Sequence, residues 1–235
     1  MIRYSVIPDK NPREILLLRG TGCAYKLCTF CDYHEDSSQD LASNFQVNKE
    51  AISKVTGKFG ILEVINSGSF NELDEDTMNL LVETCARLHI HTIHFECHWL
   101  YRRFIPALRA RFAAVNTRVV MKQGIETFDY EYRRDVMKKG INEPDPAKLA
   151  EGFEECCLLF GLPGQTYESM INDVETGLKY FNRVCINTMT ANNAPLQPDP
   201  EVVRICKEEV IPRYLDNDRV DTLLENTDFG IGGEE

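Results

Sequence analysis

Short apolar runs, often β-branched, recur along the chain: Glu14–Arg19, Ile61–Asn66, Thr92–Glu96, Arg118–Gly124, Glu155–Gly161 and Val184–Thr188. Runs of this length bounded by polar residues read as strands. Between them the apolar spacing becomes helical. Asp74 stands where an N-cap belongs, and Leu80, Leu81, Cys85 and Leu88 then share one face of a helix over Glu75–Leu88. The segments Tyr101–Phe112, Asp129–Lys139, Pro146–Phe153, Tyr167–Phe181 and Pro200–Leu215 read as further helices. Strands that alternate with helices in this order build a parallel sheet with right-handed crossovers. Six such units are too few to close an eight-stranded barrel. The expected fold is therefore α/β, an open partial (β/α)6 TIM-like barrel with parallel strands, over residues 1–215. Residues 216–235 are acidic and end Gly-Ile-Gly-Gly-Glu-Glu, so a loosely held C-terminal tail is expected there.

Composition narrows the function classes. The chain has 235 residues and is 43% hydrophobic, enough for one large core. Its 26 basic and 37 acidic side chains leave a net charge of −11, which repels nucleic acid unless a local basic patch outweighs it. The densest basic groups, Arg102-Arg103 with Arg109 and Arg111, and Arg133-Arg134 with Lys138-Lys139, fall on expected helices and read as solvated faces. A small-molecule substrate is favoured over RNA. No apolar run reaches the length of a signal peptide or membrane span, and a cytoplasmic protein with reduced thiols is expected.

Candidate chemistry concentrates in GTGCAYKLCTFCDYH, where Cys23, Cys28 and Cys31 follow the apolar run Ile15–Leu18 and the turn Gly20-Thr21-Gly22. That places three thiols at the carboxyl end of a strand, where parallel α/β folds build active sites. Three thiolates are one short of the set that holds a closed metal site, so one position of a cluster stays open for another ligand. Zinc on the three cysteines and His34 is the competing reading, and the tight spacing disfavours it. A disulfide framework is disfavoured by the odd count of nine cysteines. The other six, Cys85, Cys97, Cys156, Cys157, Cys185 and Cys206, show no paired ligand spacing and read as small core hydrophobes.

Polar residues gather at the other strand ends. Alternation along His91–Trp99 puts His94, Glu96 and His98 on one face, with Glu96 and His98 at the barrel mouth; a structural Glu–His pair is the competing reading. Asp32, His34, Glu35 and Asp36 follow the cysteines, and Asn71 and Glu72 follow the second strand. Asn187, Asn192 and Asn193 line the end of the sixth. Carboxylates and amides in such number suit a nitrogenous ring with several N–H donors.

With these segments in view, the chain resembles the radical SAM superfamily over nearly its whole length. Its members carry a 4Fe–4S cluster on three cysteines, most often spaced Cys-x3-Cys-x2-Cys, on the loop after the first strand of a six-unit partial barrel. The resemblance makes Cys23, Cys28 and Cys31 the cluster ligands and catalytic cysteines. It puts Phe30 and Tyr33 against the adenine of S-adenosylmethionine (SAM) and Asn66, Ser67, Gly68 and Ser69 at its methionyl amino group. Gly124-Ile125-Glu126-Thr127-Phe128 resembles a motif near the SAM ribose, which brings in Glu126. Phe160–Thr166 resembles a Gly-Leu-Pro-Gly-Gln-Thr segment, which brings in Leu162. One departure stands out: the first gap here, Ala24 to Leu27, has four residues, so one residue must bulge out of the loop.

Within the superfamily, the cysteine loop with its Cys-Asp-Tyr-His continuation, Ile-Asn-Ser-Gly-Ser-Phe and His-Phe-Glu-Cys-His-Trp resemble the small bacterial queuine lyases of queuosine salvage. That resemblance implies reductive SAM cleavage driven by a flavodoxin or ferredoxin. It implies release of 7-aminomethyl-7-deazaguanine from free queuine, with substrate-shell residues His34, Glu35, Phe70, Asn71, Glu96, His98 and Asn187. Radical SAM chemistry on a tRNA base, a peptide or another metabolite stays open at this point, as does a non-enzymatic zinc or iron–sulfur protein.

Overall fold

The computed structural model describes residues 1–225 and 227–233, the side chain of His34 excepted. The chain divides into two compact units. The first comprises residues 1–24, 33–121 and 229–233; the second comprises residues 25–32, 122–225 and 227–228.

In the first unit, β1 (Tyr4–Ile7) runs antiparallel to β2 (Arg13–Leu18), with Tyr4 opposite Leu16. Parallel pairing then joins β2 to β3 (Ile61–Asn66) and β3 to β4 (Thr92–Glu96), with Leu18 opposite Asn66 and Val64 opposite Phe95. One face of these strands carries Leu16, Leu18, Leu62, Val64, Ile93 and Phe95, all buried. Phe95 on that face meets Phe112 of α3 (Ile105–Ala113), with ring centroids 5.5 Å apart. The opposite face is polar near the strand starts, where Arg13 pairs with Glu63 in a buried ion pair.

Glu14 fixes the bottom of β2. Its buried carboxylate accepts hydrogen bonds from the Tyr4 hydroxyl (2.8 Å) and the backbone amides of Thr56 (2.7 Å), Gly57 (2.7 Å) and Lys58 (3.1 Å). Burial, and then the hydrogen bond to the Glu14 carboxylate, push the Tyr4 phenol up to about 12. At the top of β2, α1 (Leu41–Ile52) plays the matching part. Asn48 accepts from the Arg19 amide (2.7 Å) and donates to the Arg19 carbonyl (2.8 Å), as a neighbouring strand would. The helix α2 (Glu75–Leu88) has the expected bounds and cap: the Asp74 side chain accepts from the Thr77 amide at 2.8 Å.

In the second unit, β5 (Arg118–Glu126, begun in the first) pairs parallel with β6 (Glu155–Phe160). β6 pairs parallel with β7 (Arg183–Thr188), and β7 with β8 (Val220–Leu223). The register shifts between Gly124 and Glu126, a bulge at the end of β5. α4 is one turn, Pro146–Leu149, and α5 (Tyr167–Tyr180) starts from a capping box of Thr166 and Ser169. α6 spans Pro200–Ile205 and passes into a π turn and then a 3-10 turn, where Pro212 stands. The segment expected as a helix over Asp129–Lys139 is a π-helical turn, Tyr132–Val136.

β8 lies within residues 216–235, where a loose tail was expected. Val220 and Leu223 are buried, and Asp221 forms an ion pair with Arg183 at 3.3 Å. The end of β5 is tied to α5 through Asp173, whose buried carboxylate accepts from the Phe128 amide at 2.7 Å. Burial pushes Asp173 up to about 7 against the pull of its hydrogen bonds from Thr127 and Phe128. An unfolded aspartate ionises near pH 4. Between about pH 4 and pH 7 the folded chain therefore holds a proton that the unfolded chain has lost, and stability falls as pH rises through that window. Asp173→Asn removes this slope. Urea unfolding from pH 5 to pH 7 should show the variant gaining about 2 kcal/mol on the wild type. A difference that stays constant with pH would refute an elevated Asp173.

Candidate active site

Cys23, Cys28 and Cys31 lie between the end of β2 and a 3-10 turn at Tyr33–Glu35. Within the first unit, the start of this loop is bracketed by the segment after β3. The Cys23 amide donates to the Ser67 carbonyl (3.1 Å) and the Ala24 amide to the Glu72 carboxylate (2.7 Å). The other carboxylate oxygen of Glu72 accepts from the Ser69 amide at 2.5 Å. The Ser67 hydroxyl donates to the Asp36 carbonyl (2.6 Å), and the Ser69 hydroxyl accepts from the His98 amide (2.9 Å). Asn66 is buried and donates through Nδ2 to the Ser69 carbonyl (3.1 Å). Its Oδ1 has no hydrogen-bond partner among the described residues, an acceptor that suits the N–H of a ligand.

Within the second unit, Phe30, Met137, Leu162 and Met189 form a buried apolar cluster, and Cys28 and Cys31 pack against it. The loop is pinned from several sides. The Thr29 amide donates to the Met137 carbonyl (3.1 Å), the Thr29 hydroxyl to the Val136 carbonyl (2.7 Å) and Asn192 Nδ2 to the Phe30 carbonyl (2.8 Å). The Asn193 amide donates to the Asp32 carboxylate at 2.9 Å. Lys139 Nζ stands 5.5 Å from the centre of the Phe30 ring and 2.6 Å from the Glu126 carboxylate. Burial opposes the Lys139 charge, but Glu126, with Cys28 and Cys31 adding to it, outweighs burial and holds the ammonium charged. Glu126 sits at the β5 bulge with φ of 71°, a left-handed conformation that costs a side-chain-bearing residue energy and collects at functional sites.

The expected site residues divide by environment. Leu162 and Phe30 are buried together, and of the Asn66–Ser69 segment Ser67 receives the Cys23 amide as described. Tyr33, Glu35 and Asn71 are exposed, and the His34 side chain lies outside the described residues. Phe70 is buried against Phe95, ring centroids 6.3 Å apart, on the helix-facing side of the sheet. Glu96 ends β4 half-buried. His98 falls beyond the strand: it caps the 3-10 turn Trp99–Phe104, its Nδ1 accepting from the Leu100 amide at 3.3 Å. Asn187 is half-buried, with its Oδ1 3.6 Å from the Cys185 thiol. Sequence reading did not select Lys139, whose basic neighbourhood reads as a solvated face, or assign Glu72 a role at the cysteines; neither contact has a periodic signal.

The cysteines suit a metal cluster in the way they differ from the rest. Cys85, Cys97, Cys156, Cys157, Cys185 and Cys206 are buried, whereas Cys23, Cys28 and Cys31 are half-exposed. Burial pushes the thiols of Cys85 and Cys97 up to about 12 and that of Cys206 to about 11, so these three are protonated thiols packed in the core. The loop thiols can be reached by a metal, and the Lys139 ammonium interacts electrostatically with two of them, Cys28 and Cys31. A 4Fe–4S cluster with one open iron fits this donor set.

No family model matches the chain, and no curated protein matches it. Among solved structures, the queuine lyase from Clostridium spiroforme bound to SAM and queuine is similar at 39% identity with a TM-score of 0.94, covering 99% of this chain and 100% of that one. SuiB from Streptococcus suis is similar at 14% identity with a TM-score of 0.54, covering 91% of this chain and 50% of that one, a likeness of fold. The first match establishes the open, largely parallel α/β partial barrel. At that identity and full coverage, the chain belongs to the queuine lyase family of radical SAM enzymes.

Proposed function

We propose that this chain is itself a queuine lyase: it binds a 4Fe–4S cluster through Cys23, Cys28 and Cys31, binds SAM, and releases 7-aminomethyl-7-deazaguanine from free queuine. The observation that carries the reading is the full-length match to a queuine lyase bound to SAM and queuine, together with three half-exposed cysteines on the loop after β2. When bound, the cluster and SAM supply a hydrogen-abstracting radical by one-electron reduction. The protein's work is to bind, orient and exclude water.

For SAM, Phe30 and Leu162 offer an apolar wall to the adenine, and the exposed Tyr33 is assigned to the same base. The Asn66–Ser69 segment offers buried acceptors, Asn66 Oδ1 among them, to the methionyl amino group. Glu126, oriented by Lys139, is the carboxylate for the ribose hydroxyls. For the base, we assign Glu96, His98 and Asn187, with the exposed Glu35 and Asn71; Phe70 is committed to packing and is left out. A net charge of −11 favours a free base over a tRNA. No helix among the described residues is long and apolar enough to cross a membrane. A cytoplasmic enzyme served by a flavodoxin or ferredoxin completes the reading.

Anaerobic incubation of reconstituted protein with SAM, dithionite and queuine should give 5′-deoxyadenosine and 7-aminomethyl-7-deazaguanine by mass analysis. Cys28→Ala should yield neither. Deoxyadenosine without the deazaguanine product would leave the chemistry standing and move the substrate elsewhere; undiminished products from Cys28→Ala would remove the cluster.

Glu96 tests the substrate shell. A carboxylate can accept from a ring N–H and an amino group together, and breaking a buried contact of that kind typically costs about 2–5 kcal/mol. Glu96→Gln should therefore weaken queuine binding by tenfold or more, on the scale of about 1.4 kcal/mol per tenfold, and leave SAM binding near wild type. A lower melting temperature with both affinities unchanged would mark Glu96 as a structural partner instead.

A further inference from the structure

We infer that Glu72 is a positioning residue for Cys23, a carboxylate clamp that makes up for the extra residue in the cysteine loop. The inference rests on the cluster reading for its functional meaning and on hydrogen bonding for its geometry. The gap Ala24–Leu27 is one residue longer than the common spacing in this superfamily. A longer loop holds its ends less firmly. Here the slack is taken up locally: Lys26 adopts φ of 49°, a left-handed backbone that a residue with a side chain rarely takes.

What keeps Cys23 in place is therefore its own side of the gap. The residue lies between two anchors in the first unit, its amide on the Ser67 carbonyl (3.1 Å) and the next amide, Ala24, on Glu72 Oε1 (2.7 Å). Glu72 does not move freely to follow the loop. Its second oxygen is held by the Ser69 amide (2.5 Å), and its carbonyl accepts from the Thr21 amide (2.9 Å). One residue thus grips the loop on both sides of Cys23, by main chain at Thr21 and by side chain at Ala24. Hydrogen bonds from amides to a buried carboxylate are among the stronger ones, and an amide in its place turns one oxygen into a donor facing another donor. Gly68 makes the clamp possible: a Cβ there would stand 1.8 Å from Glu72 Oε2.

The test compares reconstituted wild-type protein with Glu72→Gln and Glu72→Asp. Three measurements are made: iron and sulfide per chain, the rate of iron loss to a chelator, and iodoacetamide labelling of each cysteine in the cluster-free protein. Thermal melting monitors the fold. Glu72→Gln should lose iron about tenfold faster, the loss expected for one charge-assisted hydrogen bond. Labelling of Cys23 should accelerate while Cys28 and Cys31 keep their wild-type rates, a selectivity that general loosening of the fold would not give. Should Glu72→Gln fail to fold, Glu72→Asp keeps the charge but is too short to span both amides, and the same two readouts apply. Wild-type iron retention and wild-type Cys23 labelling in a folded variant would overturn the clamp. A wild-type protein that assembles no iron–sulfur cluster would instead overturn the cluster reading, and the labelling comparison would still decide the role of Glu72.

Discussion

The loops beyond the parallel strands all face one constraint: their backbone amides and carbonyls have left the ladder and must find partners in a crowded, partly dry environment. The chain answers with buried and half-buried carboxamide and carboxylate side chains that imitate a neighbouring strand. Asn48 takes both the amide and the carbonyl of Arg19, Asp173 takes the Phe128 amide, and Asn192 takes the Phe30 carbonyl. Gln165 accepts from the Leu162 amide and donates to the Leu159 carbonyl, each at 2.9 Å. Loops held this way keep a fixed course without regular structure, which is what three cysteines on one loop would require to hold a single cluster.

The same constraint separates what could be read from sequence from what could not. β3, β4 and α2 were legible to the residue, because their patterns are apolar runs and a helical face with an aspartate cap. α1 was not recognised, since its buried face includes Asn44 and Asn48, whose task is to bind the chain around Arg19. β1 is a half-buried antiparallel edge, and β8 hides in an acidic stretch with Asp221 turned to Arg183. Each of these elements either buries a polar residue that has a partner or is only half-buried, so a hydrophobic count misjudges it. At the site, the three cysteines and the strand-end segments stood out as local clusters. Lys139 and Glu72 did not, because their partners are brought near only by folding: Glu126 lies thirteen residues from Lys139 in sequence, and Ala24 forty-eight from Glu72.

Charge is handled differently at the two ends of the strands. Near the strand starts, Arg13 pairs with Glu63 in the first unit, and Arg183 with Glu155 and Asp221 in the second. All five side chains are buried, and pairs of this kind add little net stability while making any single loss costly. Toward the loops, charges serve amides and side chains of the cysteine loop instead: Glu72 binds two amides, and Lys139 pairs with Glu126 and interacts electrostatically with Cys28 and Cys31.

Two glycines show how the site-facing charges are fitted in. A Cβ on Gly68 would stand 1.8 Å from Glu72 Oε2, and a Cβ on Gly124 would stand 2.7 Å from Glu126 Oε1 and 3.2 Å from Lys139 Nζ. Each unit therefore places a glycine at or just after a strand end and folds a carboxylate over the space that a side chain would fill. The result differs in each case. Over Gly68 the carboxylate is spent on backbone amides and becomes part of the scaffold. Over Gly124 it is met by one ammonium and set in a left-handed residue at a bulge, an arrangement that leaves carboxylate acceptor capacity for a ligand. The glycine in Gly-Ile-Glu and the glycine in Asn-Ser-Gly-Ser are thus explained by one steric demand, while the partners of the two carboxylates explain why one steadies the cysteine loop and the other remains able to receive hydroxyl donors.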